Sequence, residues 1–145
     1  SEFSGGMKNI VVRNNTFQGT DAGLRFKSAV KRGGKSENIY IDHIYMTDIT
    51  GDAITFETTY FDNHVGAKQQ AAPVKQEFLP DFQDIHISNV YVRGCKNGIV
   101  AHGAEGMIHD ITIKDCNIFY NKNAKDIDAA CKITLENVNF STFAK

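Results

Sequence analysis

A nine-residue pattern occurs five times in this 145-residue chain and narrows the folds open to it. It reads Asn or Asp, Ile, any residue, Val/Ile/Leu, any residue, Asn/Asp/His, two variable positions and a large apolar residue. The copies run from Asn9 to Phe17, Asn38 to Met46, Asp84 to Val92 and Asp110 to Ile118; a fifth, Lys132 to Phe140, opens on Lys. Their starts lie 29, 46, 26 and 22 residues apart. Self-similarity at a period of about 20 to 50 residues is the mark of a stacked array, in which each unit buries its apolar face only against its neighbours.

Inside each copy the apolar residues alternate, as in Ile10/Val12, Ile39/Ile41, Ile85/Ile87, Ile111/Ile113 and Ile133/Leu135. Period-two alternation rich in β-branched residues predicts a strand with one buried face. The three- and four-residue spacing of helical repeats is absent. A shorter strand is expected after most copies, at Leu24–Lys27, Ala53–Thr58 and Ile99–His102, with a weaker one at Asp126–Ala130. Short strands bent by polar turns predict an all-β parallel β-helix of about five coils, forming a single domain over residues 1–145. The sixth pattern position, held by Asn14, His43, Asn89, Asp115 and Asn137, marks the bend. Asn and Asp tolerate the left-handed backbone, and their stacked side chains are expected to form a ladder. Phe17, Met46, Val92, Ile118 and Phe140 are expected to stack in the core.

The 46-residue interval implies a long loop over 61–81, which holds both prolines, Pro73 and Pro80, and apolar anchors at Phe61, Phe78, Leu79 and, just beyond it, Phe82. Such a loop is expected to wall a cleft or contact a partner.

A net charge of -1 and the lack of exposed aromatics interleaved with basic residues argue against nucleic acid as a partner. No run approaches the roughly 20 apolar residues of a membrane span. The three cysteines, Cys95, Cys116 and Cys131, and the five histidines lack metal-ligand spacing, so neither a metal nor another cofactor is expected. Cys116 takes a position that is Ile44, Val90 and Val138 elsewhere, which reads as a buried apolar site. His43 reads as a turn residue, and Asp126 and Asp128 as ordinary turn carboxylates.

The densest basic stretch is Arg25, Lys27, Lys31, Arg32 and Lys35. Arg25 and Lys27 alternate with Leu24 and Phe26, so they project from one face of a short strand. Two adjacent cations call for an anion between them. Arg offers a carboxylate a bidentate fork and Lys offers a point charge. The other reading is a solvated face paired to Asp or Glu.

The stretch from Asn9 to Phe17, then Gly19-Thr20-Asp21, Gly23 to Ser28, Arg32-Gly33-Gly34, Phe82 to Val90 and Gly103 to Gly106 resembles the polygalacturonases of glycoside hydrolase family 28. The resemblance covers essentially the whole chain, with the Arg-x-Lys of Arg25 and Lys27 as its most specific element. It implies a right-handed parallel β-helix and hydrolysis of α-1,4-galacturonate in pectin with inversion. It also implies that Arg25 and Lys27 bind the galacturonate carboxylate and that Tyr60 is the cleft tyrosine. Arg32 would belong to the same substrate-binding region, and its Arg-Gly-Gly run is more like exo-acting members.

The family's Asn-Thr-Asp, Asp-Asp and Gly-His-Gly segments have no counterpart here. An inverting glycosidase needs two carboxyl groups about 6.5–9.5 Å apart. The resemblance therefore implies a C-terminal part of the enzyme, truncated at its N-terminal end, that lacks the catalytic residues and is inactive alone. Its exposed first coil would favour self-association. The substrate implies a secreted or periplasmic protein, although Ser1 to Gly6 carries no signal-peptide pattern. The alternatives are a non-catalytic carbohydrate-binding or structural β-helix, and a pectate lyase, whose calcium site is not legible.

Overall fold

The computed structural model describes residues 6–28, 34–58 and 79–142. Every element among them is a strand: β1 Met7–Gln18, β2 Leu24–Lys27, β3 Lys35–Thr47, β4 Asp52–Glu57, β5 Asp81–Phe82, β6 Ile85–His102, β7 Ile111–Ile127 and β8 Ile133–Thr142. All pairings are parallel. The five pattern copies stack in the order β1, β3, β6, β7, β8. The shorter strands β2 and β4 stack on the C-terminal parts of β6 and β7 to form another face. This is a parallel β-helix.

The pattern sets the register. Ile10, Ile39, Ile85, Ile111 and Ile133 pair in turn, as do Phe17, Met46, Val92, Ile118 and Phe140. Ile39, Met46, Ile85, Val92, Ile111 and Ile118 are buried, whereas the first and last members of each row are only partly covered. Position six is left-handed in every copy, with φ between 52° and 56° at Asn14, His43, Asn89, Asp115 and Asn137. The ladder skips these residues, so the chain bends there. The opening Asn9, Asn38, Asp84 and Asp110 are left-handed too, at φ 51–59°, a second corner that the same residue chemistry explains.

The position-six ladder forms only in part. Asn137 donates to Asp115 Oδ1 at 2.8 Å. Asn89 does not reach His43; it donates to Asp42 Oδ1 at 2.8 Å, where Ser88 also donates at 2.9 Å. His43 Nδ1 lies 2.6 Å from the other oxygen of Asp42. An ionised carboxylate attracts donors more strongly than an imidazole does. The Asn89 amide, with the His43 and Ser88 contacts, holds the Asp42 carboxyl down at about 2. A lowered folded pKa stabilises the protein above the unfolded value, and that stability is lost as pH falls through about 2. Asp42→Asn is therefore expected to lower the melting temperature at pH 6 and to leave it nearly unchanged at pH 2. An equal loss at both pH values would contradict this.

The shorter strands fall close to their expected places. The weak one at Asp126–Ala130 is shifted: pairing covers Lys125–Ile127 at the end of β7, and the chain turns after it. Most of the expected 61–81 loop, with its anchors Phe61 and Phe78, lies outside the described residues. Its last residue, Asp81, already belongs to β5, which pairs with Lys35–Ser36. Phe82 is buried and packs edge-on against Phe26 and Phe56. Cys95, Cys116 and Cys131 are buried free thiols, and desolvation pushes Cys95 up to about 12 and Cys116 to about 11.

Candidate functional site

The face formed by β2, β4 and the ends of β6 and β7 carries the charged residues. Leu24, Arg25, Phe26 and Lys27 pair residue for residue with Ile54, Thr55, Phe56 and Glu57. These pair in turn with Ile99, Val100, Ala101 and His102. Leu24, Phe26, Ile54, Phe56, Ile99 and Ala101 face the core. The alternate residues point away from this core and form two rows, in which Thr55 and Val100 are themselves buried. One runs Arg25–Thr55–Val100–Asp126 and the other Lys27–Glu57–His102. Coils stack about 4.8 Å apart, so each row crosses several coils of one surface.

Arg25 and Lys27 thus share a face, as the alternation predicts. Arg25 Nη2 donates to Glu57 Oε2 at 2.9 Å, with both side chains more than a quarter exposed. Along the sequence the carboxylate nearest to Arg25 is that of Asp21, but coil stacking brings up Glu57 from the next coil. An exposed pair of this kind contributes about 0–1 kcal/mol, so an incoming carboxylate can compete for the guanidinium. Tyr60 and Arg32 lie outside the described residues.

The same face also contains residues that the sequence did not single out as site residues. Thr55 is 1% exposed, and its Oγ1 has no hydrogen-bond partner. A buried hydroxyl left unpaired costs roughly 1–3 kcal/mol. His102 is held between two carboxylates, with Nδ1 3.1 Å from Asp128 Oδ1 and Nε2 3.4 Å from Asp126 Oδ2. The Gly103 amide donates to the other Asp128 oxygen at 3.1 Å. These bonds, His102 first, hold the Asp128 carboxyl below its ordinary value. Asp126 and Asp128 are therefore not plain turn residues. Aligning the three short strands, Leu24–Lys27, Ile54–Glu57 and Ile99–His102, would have brought out Glu57 and His102. Among the described residues no cluster of His, Cys, Asp or Glu is arranged to hold a metal ion.

The family model for glycosyl hydrolases family 28 matches residues 4–142. This chain belongs to glycosyl hydrolase family 28. A polygalacturonase of Ralstonia nicotianae is 26% identical over 140 residues, which is 90% of this chain and 24% of that protein. One from Ralstonia solanacearum is 31% identical over 103 residues, 68% of this chain and 17% of that protein. The chain thus spans a quarter or less of the length of these relatives. For this family 28 chain, the match runs through the β2 strand and both faces of the helix. No helix among the described residues is long and apolar enough to cross a membrane.

Proposed function

We propose that this chain is the C-terminal part of an exo-acting, pectin-degrading glycosidase that hydrolyses α-1,4-galacturonate linkages with inversion. In this reading Arg25 and Lys27 bind a galacturonate carboxylate, with Arg32 and Tyr60 in the same subsite. The supporting observation is the pair of cations side by side on the outward face of β2, in a family 28 chain whose β2 core face is fully apolar. The catalytic carboxylates belong to the remainder of the enzyme, so the chain alone releases no sugar. The whole protein is secreted or periplasmic, where its polysaccharide substrate lies.

One set of measurements tests this reading. Calorimetric titration with galacturonate oligomers is expected to show binding by the chain, weakened about tenfold or more in Lys27→Ala, the loss of one charge-assisted contact. No reducing sugar should be released by the chain alone. Equal affinity in Lys27→Ala would favour a structural β-helix whose Arg25–Glu57 pair only decorates the surface. Measurable hydrolysis would remove the assignment of the catalytic carboxylates to the remainder of the enzyme.

A further inference from the structure

An incoming carboxylate meets Arg25 already engaged by a carboxylate of the next coil. Glu57 stands beside Lys27 in the β2–β4 register, and its side chain reaches two residues back along β2 to Arg25. Arg25 Nη2 donates to Glu57 Oε2 at 2.9 Å. On the other side of Glu57 the register neighbour is His102, whose ring nitrogens face Asp126 and Asp128 of the fourth coil. Glu57 is thus turned toward the first coil and its cations. Arg25, Lys27 and Glu57 together carry one positive charge.

Glu57 and a uronate present the same functional group, two acceptor oxygens sharing a full negative charge. A uronate that engages Arg25 either displaces Glu57 or shares the guanidinium with it. Displacement exchanges one charge-assisted bond for another and adds none. Sharing sets two like charges a few ångströms apart, which is repulsive. In both cases Glu57 reduces what the uronate gains. The Arg25 and Glu57 side chains are 39% and 30% exposed, so a ligand reaches the pair without opening the core. Weaker ground-state binding suits a subsite that must release its sugar, because tight uniform binding lowers KM without speeding the chemical step.

We infer that Glu57 is a built-in counter-carboxylate of the uronate subsite: it holds Arg25 while the subsite is empty, yields it to a uronate, and so limits how tightly the uronate is held. Glu57 acts through Arg25, as a positioning residue. This inference rests on the assignment of Arg25 and Lys27 as the carboxylate subsite.

The test is calorimetric titration of a galacturonate oligomer into the wild-type chain and the variants Glu57→Gln, Lys27→Ala and Glu136→Gln. Glu57→Gln keeps the side-chain size and removes the charge; the pair is exposed, so the variant keeps the fold. It is expected to bind the oligomer about fivefold or more tightly than wild type, with the gain shrinking at high salt. A purely structural role for Glu57 predicts a loss of affinity, never a gain. Glu136→Gln removes an exposed carboxylate from β8, outside the β2–β4 face, and is expected to leave the affinity unchanged. An equal gain in both glutamine variants reduces the effect to overall charge and overturns the role of Glu57. Affinity of Glu57→Gln equal to or below wild type, with Lys27→Ala still weakened, overturns that role and leaves the uronate subsite standing. Binding by none of the four proteins, or binding indifferent to Lys27→Ala, overturns the subsite itself and the role of Glu57 with it.

Discussion

Phe56→Ala is expected to lower the unfolding free energy by about 3–5 kcal/mol, the usual cost of emptying a fully buried aromatic site. Phe56 is 0% exposed. Its ring stacks on Phe26 at a centroid distance of 4.7 Å and meets Phe82 edge-on at 6.1 Å. Phe26 and Phe82 touch as well, at 6.2 Å. Three rings from β2, β4 and β5 thus pack as one cluster. The Phe56 neighbour in the next coil is Ala101, too small to fill the gap. Phe26 lies between Arg25 and Lys27, and Phe56 between Thr55 and Glu57, so this cluster also anchors the strands that carry the charged residues. Urea denaturation of the variant and the wild type would measure the loss. A decrease below about 1 kcal/mol would mean that the coil collapses onto the cavity, contrary to the close packing described.

Gly98→Ala is expected to destabilise the chain by about 1–3 kcal/mol, at the upper end of that range, through overpacking. The reason is the approach of the next coil. A Cβ at Gly98 would stand 2.3 Å from the Ala124 carbonyl oxygen, with Ile118 Cγ2 and Phe140 Cε1 each at 3.2 Å. Relief would require β6 and β7 to separate. They are pinned on either side by the Asn97–Asn123 and Ile99–Lys125 pairs. The Asn97 side chain is further tied into a ladder, donating to Asp52 at 2.8 Å and accepting from Asn123 at 3.0 Å. Thermal melting would read the effect. A melting temperature unchanged from wild type would show that the two coils can part at this point.

Ladder breaks such as the one at Asp42 were not legible in the repeat. The pattern places His43 and Asn89 at equivalent positions, and both take the expected left-handed backbone. Which acceptor Asn89 finds depends on the residue before His43, and Asp42 wins because it is charged. The charged face divides in the same way. That Arg25 and Lys27 share a face follows from alternation over four residues. That Glu57 pairs with Arg25 depends on the register between β2 and β4, which lie one coil apart.

The sequence by itself determined the coils, their inward residues, their corners and the shared face of Arg25 and Lys27. Each of these rests on local physics, either period-two alternation or the backbone tolerance of Asn and Asp. The tertiary structure alone decided which residue of one coil stands over which of the next, and so stacked Glu57 beside Arg25 and Lys27 and brought His102 to Asp126 and Asp128. Stacking register is a non-local quantity here, because the coils differ in length and the spacing along the chain does not give their alignment.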